Sequence, residues 1–201
     1  MTEEGTARQR RLVLASASPR RQQLLRQAGY EFAVFPANID EDSVLNLMPI
    51  ELARHLSFEK AKAVATRLPH DVVLAADTVV AFGDRALSKP EDAEDARRML
   101  ALLSGTTHIV ITAVTLMQKE SEVQQTRAAM SAVRMRVMST EEIDAYIAGG
   151  QWEGKAGGYG IQDQDPFVTK MSGSHSNIVG LPMELVEKML GEINIVPVQR
   201  G

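Results

Sequence analysis

The run Val72 to Phe82 constrains this chain more than any other stretch. It is almost wholly apolar and β-branched, interrupted only by Asp77-Thr78 and alanines. Such a run predicts a strand buried on both faces, leading into a second extended segment; a sheet covered by helices accommodates it. A lone carboxylate inside it is costly unless paired or metal-bound. Asp77 therefore reads in one of two ways. It is a general base or metal anchor, since α/β folds build sites at strand C-termini, or it is a strand end where Asp begins a turn. The apolar run resumes after it, which favours the first.

The surrounding pattern alternates strands and helices. Leu12 to Ala15 reads as a strand, and Ser18-Pro19 as a helix start with Ser at the cap and Pro at the first position; that helix ends near Gly29. Phe32 to Phe35 reads as a strand, with helices over about Pro49 to Leu68 and Ala93 to Leu103. Ile109 to Met117 and Thr126 to Met138 read as extended. In the second, Val133, Met135 and Val137 alternate with Arg134 and Arg136, the pattern of a half-exposed strand. Ser139 and Glu142 form a capping box for a helix that turns Ile143, Tyr146 and Ile147 inward. A final helix runs from Pro182 to Gly191. The class is α/β with a mixed sheet. Residues 1–11 are expected as a flexible tail and 12–201 as a single domain.

Charge and composition narrow the function. The net charge of −4 leaves no general nucleic-acid footprint, so any anion site must come from local Arg and Lys. The absence of cysteine removes disulfides, zinc fingers and thiol nucleophiles, and fits a reducing, cytoplasmic setting. The first eleven residues lack the apolar core of a signal peptide. No apolar run approaches the roughly 20 residues that span a bilayer.

Five further clusters carry candidate chemistry. Ser16 to Arg21 joins a strand to a helix, and a helix N-terminus suits phosphate. Arg20 and Arg21 oppose the helix dipole there, so they read as a polyphosphate clamp or as solvated arginines on a capped helix. Lys60 falls within the apolar arc of its helix, beside Leu56, Ala63 and Val64, at about 100° per residue. It is either an inward cation needing an anion or a snorkelling side chain. Lys89, fixed in an extended geometry by Pro90, is a second cation candidate. Asp40-Glu41-Asp42 reads as a solvated turn or a divalent-metal cluster. Gly157 to Gln162 reads as a flexible loop, or as one that approaches a ligand closely with Gln162 reading a base edge. Ser174-His175-Ser176 hints at a serine hydrolase, but no nucleophile-elbow motif accompanies it.

Together the motifs Ser16-Ala17-Ser18-Pro19-Arg20-Arg21, Ile39-Asp40-Glu41, Glu59-Lys60-Ala61, Ala76-Asp77-Thr78-Val79-Val80, Leu87-Ser88-Lys89-Pro90, Lys155 to Gln162 and Val179-Gly180-Leu181-Pro182 stand in one order over Leu12 to Leu190. In this the chain resembles the Maf nucleoside triphosphate pyrophosphatases. The resemblance implies a mixed, twisted sheet with flanking helices, two lobes around a deep cleft, and usually a homodimer. It implies hydrolysis of a nucleoside triphosphate to monophosphate and pyrophosphate with a divalent cation, magnesium or manganese. Asp77 matches the proton acceptor and a metal ligand, with Glu41 as the second metal ligand. Arg20, Thr78 and Gln162 match positions tied to substrate choice; Ser18, Arg21, Lys60 and Lys89 match further substrate-binding positions. Arg-Arg after the Pro, Asp-Thr on the strand and Gly-Ile-Gln in the loop match the branch acting on dTTP and UTP. The 7-methyl-GTP branch and a non-catalytic nucleotide-binding regulator of cell division are the alternatives. One position departs from the pattern: Asp163 follows Gln162 where the family continues with Gly.

Overall fold

A computed structural model describes residues 10–41, 47–121, 123–161 and 167–198. In chain order the elements are β1 (Leu12–Leu14), α1 (Pro19–Gln27), β2 (Ala33–Val34), α2 (Pro49–Arg67), β3 (Val72–Phe82), β4 (Arg85–Leu87), α3 (Ala93–Leu103), β5 (Thr107–Gln118), β6 (Val123–Met135), α4 (Thr140–Ala148), β7 (Val168–Ser172), α5 (His175–Val179) and α6 (Met183–Gly191). A short 3-10 turn lies at Ala156–Gly158. The strands form one mixed seven-stranded sheet in the order β2-β1-β3-β5-β6-β7, with β4 also on β3. β1 runs parallel to both β2 and β3, and the other pairs are antiparallel. The mixed α/β class follows from the sequence pattern.

The apolar run of β3 is one continuous strand, buried along almost its whole length. Successive side chains on a strand point to opposite faces. Leu74 and Ala76 therefore join a core with β1 and α6, while Val73 and Ala75 join a different one with α2. Farther along, Val80 enters a third core with α3 and α4. β3 thus runs through separate apolar clusters, one on each face toward each of its ends.

The edge of β3 away from β5 is built in two pieces. β1 pairs with Val72 to Leu74, and β4 pairs with Val80 to Phe82. Between them the edge carries no strand among the described residues, while β5 pairs continuously on the other side from Val73 to Ala81. Asp77 and Thr78 sit in that gap. Asp77 is in the middle of the strand, not at its C-terminal end, so the notion of a strand end beginning a turn is corrected.

Other expectations shift at element ends. The alternation expected to reach Val137 stops at Met135, and Val137 is 76% exposed. A register irregularity at Arg134/Met135 turns the strand, after which Arg136 bonds to Phe167 and Gly105 through its backbone. The capping box at Ser139 forms, and Ile143, Tyr146 and Ile147 are buried. The helix α5 has no counterpart in the sequence reading, because five residues are too few for a periodic signal.

Candidate active site

A cleft of about 520 Å³ opens at the gap in the sheet. Ala15 to Arg21, running from the end of β1 into the first turn of α1, form one wall; Glu153 to Ala156 and Tyr159 to Ile161 form the other. Each wall has a local cause. Ser18 caps α1, its hydroxyl accepting from the Arg21 backbone N–H at 3.5 Å, and Pro19 occupies the first helical turn. The opposite wall is held by Gly157, whose N–H donates to the Ser88 carbonyl at 3.0 Å beyond β4. Gly157 has φ 69°, and an added Cβ would lie 3.0 Å from Val80 Cγ2, so this turn needs glycine.

Because Asp77 and Thr78 face opposite sides of β3, they meet different partners. Asp77 faces α2, where Lys60 rises from the buried side of that helix. Lys60 Nζ lies 2.6 Å from Asp77 Oδ1 and 3.0 Å from Glu41 Oε1. Both Lys60 and Asp77 are only 6% exposed. The inward reading of Lys60 holds: it bridges two carboxylates. Lys89 Nζ approaches Glu41 Oε2 at 3.8 Å from the far side. Burial alone would raise the Glu41 carboxyl, but Lys60, Lys89 and Arg21 outweigh it and hold the group below its ordinary value.

Thr78 faces α1 and α5. Arg21 curls back over its own helix start: Nε donates to the Gly180 carbonyl at 2.8 Å, Nη1 to Ser16 Oγ at 3.2 Å and Nη2 to Thr78 Oγ1 at 3.2 Å. These acceptors offset an arginine placed against the helix dipole. Burial pushes the Arg21 guanidinium down from its ordinary value, with the nearby Asp77 charge opposing that shift. Arg20 crosses the cleft mouth and donates to the Gly154 carbonyl at 3.1 Å.

Ser18, Arg20, Arg21, Glu41, Lys60, Asp77, Thr78 and Lys89 therefore line one cleft, although they come from five separate stretches of chain. Gln162 lies outside the described residues, as does Asp42; Asp40 is not part of the cleft lining. Lys155 and the Gly180 carbonyl are members of the site that the residue-by-residue reading missed. Lys155 is 9% exposed and lines the cleft, and its chain passes where a Gly160 Cβ would sit, 2.9 Å from Lys155 Cδ. The Gly-rich pattern next to a lysine was its only sequence signal.

The serine-hydrolase alternative finds no support in this geometry. The Ser174 and Ser176 hydroxyls lie 2.8 and 3.1 Å from Glu184 Oε2 and 2.8 Å from each other, so one donates to the carboxylate directly and the other donates to its neighbour, and each accepts a backbone N–H. They organise the starts of α5 and α6.

No group of three or more His, Cys, Asp or Glu side chains is placed to hold a metal ion among the described residues. Two carboxylates facing a cleft are nevertheless the donor set a magnesium-type ion uses when substrate phosphates complete its shell.

The chain is 45% identical over 192 residues to a dTTP/UTP pyrophosphatase of Rhizobium meliloti, covering 91% of this chain and 93% of that protein. It is 46% identical over 192 residues to one of Cereibacter sphaeroides, covering 94% and 98%. A third, from Caulobacter vibrioides, is 45% identical over 188 residues, covering 92% and 97%. Among solved structures, a HAM1 protein from Coxiella burnetii is 16% identical and aligns over 91% of this chain and 99% of that chain with a TM-score of 0.49. Residues 11–193 match the family described as Maf-like protein, and with relatives this similar along nearly its whole length the chain belongs to that family.

Proposed function

We propose that the chain is a nucleoside triphosphate pyrophosphatase that hydrolyses dTTP and UTP to the monophosphate and pyrophosphate. The observation that carries this reading is the buried Lys60 bridge between Asp77 and Glu41, in a cleft that also gathers Arg20, Arg21 and Lys89. A triphosphate brings about four negative charges, which a set of fixed cations offsets without reorganising as the reaction proceeds. The relatives named for dTTP and UTP support the choice of nucleotide.

In this reading water adds to the α-phosphorus, the bond to the bridging α–β oxygen breaks, and pyrophosphate departs. Lys60 engages Asp77 Oδ1, so the second carboxylate oxygen is the one that receives the water's proton. Lys60 also stands between the two carboxylates and offsets their charge in a confined site. Arg21 and Lys89 hold the polyphosphate, Ser18 offers a hydroxyl at the helix start, and Arg20 closes the mouth. Asp77 and Glu41 would hold a magnesium or manganese ion, which supplies charge neutralisation at the phosphate oxygens. Gln162 reads the base. A cytoplasmic location and a homodimeric state belong to the same reading.

The test is product identity across a panel of nucleoside triphosphates, 7-methyl-GTP included, with magnesium and with a chelator. Pyrophosphate released fastest from dTTP and UTP, and abolished by the chelator, is expected. Tight binding of both without turnover indicates the non-catalytic regulator instead, and a preference for 7-methyl-GTP overturns the assigned nucleotide.

A further inference from the structure

Thr78 stands directly opposite Thr112 in the β3–β5 ladder, and their hydroxyl oxygens are 3.0 Å apart. Thr112 is fully buried, and its Oγ1 lies 2.9 Å from the main-chain carbonyl oxygen of Asn177 in α5. A carbonyl only accepts, so Thr112 must spend its single proton there; otherwise two lone pairs would face each other. Thr112 can then only accept from Thr78, and Thr78 must donate to it. Thr78 also accepts from Arg21 Nη2 at 3.2 Å. Its proton and one lone pair are thereby committed, and one lone pair is left in the cleft that Thr78 lines.

The Asn177 carbonyl is itself fixed. The Asn177 side chain is completely buried and donates to the Val110 carbonyl at 3.0 Å and to Ser131 Oγ at 2.9 Å. Ser131 passes its proton to the Ser174 carbonyl at 3.0 Å. The direction of every hydrogen bond from Arg21 to β6 is thus determined by acceptors that cannot donate.

We infer that Thr112 is a positioning residue that makes the Thr78 hydroxyl an acceptor toward substrate, so that Thr78 meets an N–H or O–H donor of the nucleoside and not a phosphate oxygen. This rests on the proposed nucleotide substrate. A phosphate oxygen has no proton to give at neutral pH, and opposite this lone pair it is repelled. Two donors are common to thymidine and uridine nucleotides: the imide N3–H of the base and the 3′-hydroxyl of the sugar.

The experiment is calorimetric binding of the non-hydrolysable α,β-imido analogue of dTTP, its N3-methyl derivative and its 3′-deoxy derivative. Wild type, Thr112→Val and Thr112→Ser are compared, with thermal unfolding followed alongside. Wild type is expected to bind the parent about tenfold more tightly than one of the two derivatives, which identifies the donor. Thr112→Val should lose that preference and Thr112→Ser should restore it, whatever either does to the melting temperature. Equal wild-type affinity for all three ligands overturns the inference on its own, without any variant. A preference retained in Thr112→Val assigns it to something other than Thr112 and overturns it as well. Because binding alone is read, a protein that shows the predicted preference yet releases no pyrophosphate sinks the proposed activity and leaves the polarity of Thr78 standing.

Discussion

Replacing Lys60 by alanine would remove the cation that contacts the almost completely buried Asp77. Breaking a buried pair from one side costs about 3–5 kcal/mol. Lys60→Ala is therefore expected to lower unfolding free energy by that order in urea titrations, and to abolish turnover. Lys60 was legible in the sequence because a charge in the apolar arc of a helix demands a partner. Asp77 was legible for the same reason within a strand. Arg21 was half legible. That an arginine at a helix start needs acceptors follows from the dipole, but the Gly180 carbonyl that supplies one lies 159 residues along the chain. No local pattern announces such a contact. Thr112 was invisible, because a threonine in a β-branched strand is ordinary until its proton is accounted for.

At the scale of elements, α4 shows how a local signal can be tested. Arg136 pairs with the Glu142 carboxylate at 2.7 and 2.9 Å, and the Ser139 N–H donates to it at 2.9 Å. The hydrogen bond from Arg136, followed by that from Ser139, holds Glu142 well below its ordinary value of 4.5, at about 2. A depressed carboxylate contributes stability that is complete above pH 4.5 and is lost as pH falls toward 2. Glu142→Gln keeps a capping acceptor but removes the charge. It is expected to be less stable than wild type at pH 7, with the difference shrinking across that acidic window in urea titrations. Gly157→Ala tests the opposite wall of the cleft. At φ 69°, with Val80 in the way, alanine is expected to cost about 1–3 kcal/mol in thermal unfolding and to displace the loop that carries Lys155. Strong caps and long apolar faces made most elements readable. The missed α5 and the early end of β6 depend on tertiary bonds: the Asn177 side chain into Val110 and Ser131, and the Arg136 backbone to Phe167 and Gly105.

For the whole molecule, the decisive feature is a sheet edge assembled from two short strands on either side of a gap. That gap lets one strand present Asp77 to α2 and Thr78 to α1 and α5 within one cleft. Sequence motifs brought the residues together by resemblance; only the pairing of β1 and β4 on the same edge explains why the cleft opens there. Near the far end of β3's partner strand, buried His108 bonds Tyr159 OH at 2.6 Å and so ties the cleft-lining loop to β5. Burial pushes the His108 imidazole from 6.5 down to about 4. The unfolded chain takes up a proton below pH 6.5 that the folded chain refuses until about pH 4, so stability falls as pH drops through that interval. His108→Gln is expected to flatten this part of the stability–pH profile, measured by urea unfolding between those limits.

The claim on which the rest depends is that the Lys60-held Asp77 carboxylate receives the proton from the attacking water. Asp77→Asn preserves size and removes that capacity. Pyrophosphate release from dTTP with magnesium, measured on a variant whose circular dichroism matches wild type, is expected to fall at least about a hundredfold. Release near the wild-type rate would contradict the account.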